Sequence, residues 1–131
     1  MLNIKTYIAP SKIQGLGLFS SQKIKKGQLV WSFDERIDIK YTIEQWEELK
    51  RELHRDSFDT LQNFAYKEND FYINCMDNAQ YMNHHTFDFN IENSSDLSMM
   101  FATRDISINE ELLYNYFESS DEDDYHLQFL K

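Results

Sequence analysis

Two adjacent histidines, in the stretch "QYMNHHTFDFN" at residues 80–90, are the first side chains that could do chemistry. Neighbouring side chains of an extended chain point to opposite faces, so His84 and His85 do not converge on one metal ion. No two histidines of the chain stand four residues apart, the spacing that brings a pair together on a helix. A G-x-S-x-G turn, which presents a nucleophilic serine, is also absent. The sequence therefore predicts neither a metal site nor a serine hydrolase.

A second candidate is the lone G-x-G at Gly15, Leu16 and Gly17. A phosphate-binding loop needs a strand before such glycines, a helix after them and a third glycine. Here "LFSS" follows, which indicates a strand. The pattern leaves two interpretations open: a tight turn between strands, or a backbone that comes close to a ligand.

The composition is typical of one packed globular domain. Of the 131 residues, 41% are hydrophobic and 15% aromatic. The sequence contains neither a long apolar run that could span a membrane nor an apolar N-terminal secretory signal. The single cysteine, Cys75, excludes an internal disulfide, and we expect a buried thiol in an intracellular setting, in the cytoplasm or the nucleus.

The charge balance argues against direct nucleic-acid binding. The net charge is −10, whereas phosphate contacts need clustered lysine and arginine. An acidic surface could attract a lysine-rich protein, or could serve solubility alone.

Hydrophobic periodicity and turn residues predict a β-rich fold. Thr42 and Gln45 form a capping box at the start of a helix over residues 43–53, and a second helix is predicted over 57–66. No glycine follows Gly27, so turns are expected on asparagine and aspartate at 69–70, 77–78, 94–96 and 109. The predicted strands are 18–22, 28–33, 36–41, 71–76, 88–91, 97–105 and 111–117.

These elements predict a mixed, β-rich (α+β) fold rather than a repeating βαβ sheet. A single domain over residues 1–131 is expected, with a helical insert at about 42–66 and a C-terminal closing segment at 118–131.

Three segments in order carry a family resemblance: "GLGLFSSQKIKKGQLV", "DNAQYMNH" and "FATRDISINEELLYNY". Together they resemble the opening, middle and closing motifs of the SET domain of protein lysine methyltransferases, over residues 11–117. The sequence departs from the family pattern at Gln80, where the family has arginine, and at His85, where it has serine. The motif's cysteine and proline are missing, Asn90 stands near its last asparagine, and Asn109 replaces a glycine.

The resemblance implies a SET-type β-clip fold of several short-stranded sheets with a knot-like C-terminal crossing. It also implies S-adenosylmethionine as cofactor, S-adenosylhomocysteine as product, and a methyl transfer to the amine of a protein lysine. The matching positions are Tyr116 as catalytic tyrosine, Tyr114 and Tyr81 as walls of the lysine channel, and Gly15, Leu16, Gly17, Asn83 and His84 as cofactor-binding residues. Tyrosine at position 114 favours mono-methylation. Glu110 and Glu111 would be structural, in a turn and a strand start.

Other interpretations remain open from the sequence. The chain could be a SET-fold module that binds a cofactor or a protein without catalysis, or a β-rich interaction domain that binds no cofactor. The acidic run at 118–124 is expected to be a solvated surface or a docking surface for a basic segment. The apolar end at 125–130 is expected to cover the lysine channel or to pair with a second subunit in a homodimer.

Overall fold

The computed structural model describes residues 1–129 and shows the predicted mixed α+β fold. Its ten strands are β1 (Thr6–Pro10), β2 (Leu16–Ser20), β3 (Leu29–Ser32), β4 (Asp38–Thr42), β5 (Ala65–Glu68), β6 (Phe71–Cys75), β7 (Asn83–His84), β8 (Ile91–Asn93), β9 (Met99–Ala102) and β10 (Leu113–Tyr114). The helices are α1 (Ile43–Glu52), α2 (Arg55–Phe64) and the short α3 (Tyr116–Ser119), with 3-10 turns at Asn78–Tyr81 and Tyr125–Phe129. The longest helices among residues 1–129 have ten residues, too few to cross a membrane.

The strands form three sheets. One is the antiparallel pair β1-β2, one is three-stranded in the order β4-β6-β5, and one is five-stranded in the order β3-β9-β8-β10-β7. In the third sheet, β10 lies between β8 and β7 and runs parallel to both. This late strand, inserted between two earlier ones, joins the middle and closing segments of the sequence.

The two helices cover one face of the three-stranded sheet. Helix α1 begins at the predicted capping box, where Thr42 and Gln45 each bond to the other's backbone. Trp46 is buried and stacks on Tyr72 of β6, with 4.2 Å between ring centres, and it also contacts Phe58 of α2. Helix α2 begins two residues earlier than predicted because His54 Nδ1 accepts a hydrogen bond from the Asp56 amide and caps it.

The opposite face of this sheet turns toward the main core. The register places Lys40, Ile73 and Tyr66 side by side on this face, with Phe71 and Glu68 one step along. Two cavities described below open onto it.

The alternation of residues 36–41 predicted the strand correctly but did not show which side is buried. Asp38 shares its face with Cys75 and is buried, whereas Ile39 on the other face is exposed. The Asp38 carboxylate accepts hydrogen bonds from the Met1 ammonium at 2.6 Å and from the Asp34 amide at 2.9 Å, which compensate for its burial.

Two predicted strands differ from the structure. The strand predicted over residues 88–91 is observed as β8 at Ile91–Asn93. The strand predicted over 111–117 is shorter in the structure, where β10 spans only Leu113–Tyr114. Asn115 ends the second strand because its side chain accepts a hydrogen bond from the Phe117 amide and begins α3. Tyr116 therefore lies in α3, after β10, and not in the predicted strand with Tyr114.

The predicted asparagine and aspartate turns are confirmed where the backbone is left-handed. Asn69, Asp70 and Asn109 have φ of 51°, 62° and 71°. Asparagine and aspartate tolerate this region better than most residues, which accounts for turns built without glycine. Leu97 also has a positive φ, 63°, which no sequence signal indicated.

The left-handed conformation of Asn109 leads to a prediction about the stability of two variants at this position. Both Asn109→Gly and Asn109→Ala remove the hydrogen bond from the Tyr7 hydroxyl, but only alanine is strained at a φ of 71°. We expect Asn109→Ala to be less stable than Asn109→Gly by about 1 kcal/mol in the free energy of unfolding, measured by urea denaturation. Equal stabilities would contradict the left-handed turn.

Candidate active site

A cavity of about 670 Å³ opens where the loop before β2, the Asn78–Tyr81 turn and the chain after β10 meet. Six of the eight site residues predicted from the sequence line it: Gly15, Leu16, Tyr81, Asn83, Tyr114 and Tyr116. Gly17 and His84 do not line it; each contacts residues that do. Residues separated by a hundred positions in the chain thus share one site.

Two tyrosines form one wall of the cavity. The rings of Tyr114 and Tyr116 lie 4.5 Å apart, and the Tyr116 hydroxyl donates a hydrogen bond to the Met82 carbonyl oxygen at 2.9 Å. Burial raises the pKa of Tyr116 to about 12 and that of Tyr114 well above its ordinary value. Both hydroxyls therefore stay protonated and neutral at physiological pH. This wall can orient a polar group but cannot supply a phenolate base there.

Asn83 fixes the glycine loop against β7. Its Nδ2 donates to the carbonyl oxygens of Gln14 at 3.2 Å and Leu16 at 3.1 Å. Between these two, Gly15 has a φ of +49°, and no atom lies within 4 Å of where a Cβ would stand. The backbone of this loop is therefore open to a ligand in the cavity.

Gly17 is required by a contact behind the cavity. A Cβ at this position would lie 2.8 Å from Glu111 Oε2. The Glu111 carboxylate accepts hydrogen bonds from Ser11 Oγ at 2.8 Å and from Asn83 Nδ2 at 3.4 Å. The absence of a side chain at Gly17 thus allows Glu111 to reach the two segments that hold the loop, in agreement with a structural role for this glutamate.

His84 supports Tyr116 from outside the cavity. Its Nδ1 accepts a hydrogen bond from the Tyr116 amide at 2.9 Å, so the ring proton lies on Nε2, which is 3.0 Å from Thr86 Oγ1. Burial, and then the charge of His85, lower the pKa of His84. The ring is therefore neutral at physiological pH and packs between Tyr116 and Phe117.

His85 points away from the cavity. Its Nδ1 accepts hydrogen bonds from the amides of Phe87 at 3.2 Å and Asp88 at 2.7 Å, which orders the following loop. The backbone amide of His85 bonds to the Tyr114 carbonyl oxygen, so the main chain still pairs with the closing segment. The departure at this position leaves the cavity wall unchanged, whereas Gln80, the other departure, lines the cavity.

Asn90 joins the two segments that cross. It is buried, and its Oδ1 accepts from the Leu113 amide at 2.9 Å. Its Nδ2 donates to Glu110 Oε2 at 2.9 Å and to the Glu111 carbonyl oxygen at 2.8 Å. Residues 83–84 lie beside the closing segment, as a C-terminal crossing requires, since Asn83 pairs with Leu113 and His84 with Tyr114.

The C-terminal segment supplies a further wall of the cavity through Tyr125, His126 and Phe129. His126 Nε2 lies 2.7 Å from the Ala65 carbonyl oxygen and 3.1 Å from that of Gln62, so it carries the proton and donates to them. Part of the apolar end thus lines the cavity, and its role as a cover over a lysine channel stays a prediction; Leu130 lies outside the described residues. No sequence signal indicated this role of His126, because its partners are backbone groups about 60 positions away.

Part of the acidic run holds β5 and the turn after it through hydrogen bonds and an ion pair. We call these residues, Asp121, Asp123 and Asp124, the clamp. The two carboxylate oxygens of Asp121 accept hydrogen bonds from the amides of Asn69 and Asp70, each at 2.9 Å. The buried Asp124 carboxylate accepts from the Lys67 and His126 amides, and Asp123 pairs with the Lys67 ammonium at 2.5 Å. The prediction of a solvated surface is wrong for Asp124, which is buried and satisfies the backbone of β5, while the half-buried Asp121 satisfies the backbone of the turn after β5.

Comparison with known proteins assigns the family. The SET domain family matches residues 15–117 of the chain. The chain belongs to the SET-domain family. No curated protein matches it.

Solved structures support the SET fold. A Plasmodium falciparum protein described as a candidate histone methyltransferase has 22% identity and a TM-score of 0.56, over 88% of this chain and 95% of that one. A chain of the Chaetomium thermophilum Polycomb Repressive Complex 2, in a structure bound to S-adenosylmethionine, has 20% identity and a TM-score of 0.66. The match covers 91% of this chain and 16% of that chain. At these identities the likeness shows the fold.

The contact between Gly17 and Glu111 can be tested by a double-mutant cycle. Gly17→Ala forces the Cβ against the Glu111 carboxylate, so we expect it to lower the free energy of unfolding by about 1–3 kcal/mol. In a Glu111→Ala background the nearest contact is removed and only Ser11 Cβ, at 3.0 Å, remains, so the same change should have a smaller effect. Urea denaturation of the four proteins measures this coupling; an additive cycle would contradict it.

The clamp can be tested by hydrogen exchange. Asp121→Ala removes both acceptors of the Asn69 and Asp70 amides, so we expect these amides to exchange about tenfold faster or more. Glu122→Ala is the matched control, because it removes the same charge from an exposed neighbour. Equal exchange rates in the two variants would mean that the clamp does not hold this turn.

Proposed function

We propose that this SET domain transfers a methyl group from S-adenosylmethionine to the side-chain amine of a protein lysine. The observation that carries the proposal is the Tyr116 hydroxyl, which is held on the Met82 carbonyl oxygen in the wall of a large cavity, beside Tyr114. Family membership over residues 15–117 supports the same reaction class.

The cofactor fits the donors that this chain presents. A volume of about 670 Å³ lies in the range of small-molecule sites, and the open backbone at Gly15, next to Leu16, can approach a ligand closely. Bound there, S-adenosylmethionine would supply an electrophilic methyl group. Asn83 holds the loop that receives the cofactor, and His84 contributes by fixing the backbone of Tyr116.

The residues around the tyrosine pair favour a reactive lysine. The nucleophile must be a neutral amine, and a buried wall of neutral aromatic rings disfavours the charged ammonium form. Tyr81 and Tyr114 would form walls of the channel, and the fixed Tyr116 hydroxyl would orient the amine and the methyl group for in-line transfer. The hydroxyl of Tyr114 reduces the space beside the amine, which favours transfer of a single methyl group.

The substrate is proposed to be a protein segment that is basic around its target lysine. The chain has a net charge of −10, and long-range attraction to a lysine-rich, histone-like segment follows from this charge. An intracellular location, a single-domain organisation and a homodimer through the apolar C-terminal end remain predictions from the sequence.

Tyr116→Phe tests the proposal directly. We expect a decrease of about 100-fold or more in radiolabelled methyl transfer to histones or to proteins of a whole-cell lysate, because one positioned donor is lost. Binding of S-adenosylhomocysteine, measured by calorimetry, should be preserved. Tyr72→Phe is the control, since Tyr72 packs on Trp46 on the helix-covered face of the sheet and does not line the cavity. The mass of the product shows how many methyl groups are added.

The outcomes separate the alternatives. Cofactor binding without labelling of any protein would favour a SET-fold module without catalysis, and absence of cofactor binding would favour a plain interaction domain. Labelling that Tyr116→Phe leaves unchanged would refute the role of Tyr116.

A further inference from the structure

A second cavity, of about 200 Å³, opens on the same sheet face as the first. On β5, Tyr66 lines the first cavity, and Glu68, two residues further on the same face, lines the second. Phe33, Phe71 and Lys40 form walls of this second cavity, and its border also includes Asn69, Ile73 and the turn at 96–98. Neither the proposed reaction nor its cofactor uses it.

Glu68 is a buried carboxyl group without a partner in this cavity. Its residue is only 5% exposed, and among the side chains that the structure describes (residues 1–118, 120–127 and 129) no hydrogen bond or ion pair reaches its carboxylate. Burial, and then the charges of Asp124 and Asp121, raise its pKa to about 8, while Lys40 acts in the opposite direction. A buried carboxyl group in this state gains from the arrival of a cation.

The aromatic walls already hold one cation of the chain itself. Lys40 Nζ lies 4.8 Å from the centre of the Phe33 ring and 5.4 Å from that of Phe71. Ammonium groups within about 6 Å of a ring face are attracted by its quadrupole. Lys40 is an exposed side chain, so it can leave the two rings at little cost.

We propose that Phe33, Phe71 and Glu68 form a second pocket that receives a lysine side chain of a protein partner. The rings would contact the ammonium group and its apolar stem, and the Glu68 carboxylate would neutralise its charge. Lys40 occupies the two rings in the free protein and would be displaced. The net charge of −10 favours a lysine-bearing segment over an acidic one.

This pocket can be filled whether or not the protein transfers methyl groups. A partner that presents two lysines could occupy both cavities, since Tyr66 and Glu68 are two residues apart on β5, about 7 Å. The binding test therefore uses no methyl-transfer readout.

The test follows the ring signals of Phe33 and Phe71 by NMR during titration with a five-residue glycine-serine peptide that has one central lysine. We expect saturable shifts, with affinity increased about tenfold by Lys40→Met, which removes the internal competitor. Lys50→Met on α1 is the matched control and should leave the affinity unchanged. The same peptide with norleucine in place of lysine should bind at least about tenfold more weakly.

Two further variants test the recognition itself. In the Lys40→Met background, Glu68→Gln and, separately, Phe71→Leu should each abolish saturation, while the amide spectrum shows that the fold is retained. Affinity should also rise between pH 7 and pH 9 in Lys40→Met as Glu68 loses its proton, and not in Lys40→Met/Glu68→Gln. The other charged groups that face Glu68, namely Asp96, Asp121 and Asp124, remain in both proteins.

Absence of saturable shifts in Lys40→Met, or equal binding of the lysine and norleucine peptides, would overturn the proposal. Calorimetry with S-adenosylhomocysteine on the same variants measures cofactor binding separately from peptide binding. If the wild-type protein does not bind S-adenosylhomocysteine, the proposed methyl transfer is contradicted. If the lysine peptide does not bind, only the second pocket is contradicted.

Discussion

The pairing of β10 between β7 and β8 is the interaction on which the rest of the site depends. It places Asn83 beside Leu113, and the buried Asn90 fixes the crossing by bonding to the backbone of the closing segment. Because the strands are only two or three residues long, their ladder alone would be weak, and side-chain amides supply the remaining bonds. Both the tyrosine wall and the glycine loop are positioned from this crossing.

The strand β5 contributes to both cavities and to the contact with the C-terminal segment, because its successive side chains point to opposite faces of the sheet. Tyr66 faces the large cavity and Glu68 the small one, while Lys67 between them points to the other side of the sheet and pairs with Asp123. The backbone of Lys67 bonds to Asp121 and Asp124 in the C-terminal segment. The outer edge of the sheet is thereby covered by acidic residues, and the apolar residues that follow are directed onto the cavity.

The sequence predicted the features that depend on neighbouring residues. It did not predict the features that depend on backbone groups far away in the chain. The Thr42–Gln45 capping box and the left-handed turn at Asn109 follow from single residues and their neighbours, so both were found. The ordered motifs identified six of the residues that line the cavity. The role of His126 and the clamp at Asp121 were not predictable, because their partners are backbone groups brought near only by the tertiary fold. The buried face of β4 was missed for the same reason, since Asp38 is stabilised by the chain's first residue.

The insertion of β10 also has a consequence for the order of folding. Its two residues pair with segments 30 and 23 positions earlier, so neither pairing can form before the intervening chain has closed into loops. Contacts of such sequence separation slow the folding of a domain. The chain from β1 to β9 can collapse first, but the tyrosine wall is completed only when the segment after β9 docks. A nascent chain that lacks this segment has the glycine loop but not the tyrosine wall, so we expect ligand binding only when synthesis of the domain is nearly finished.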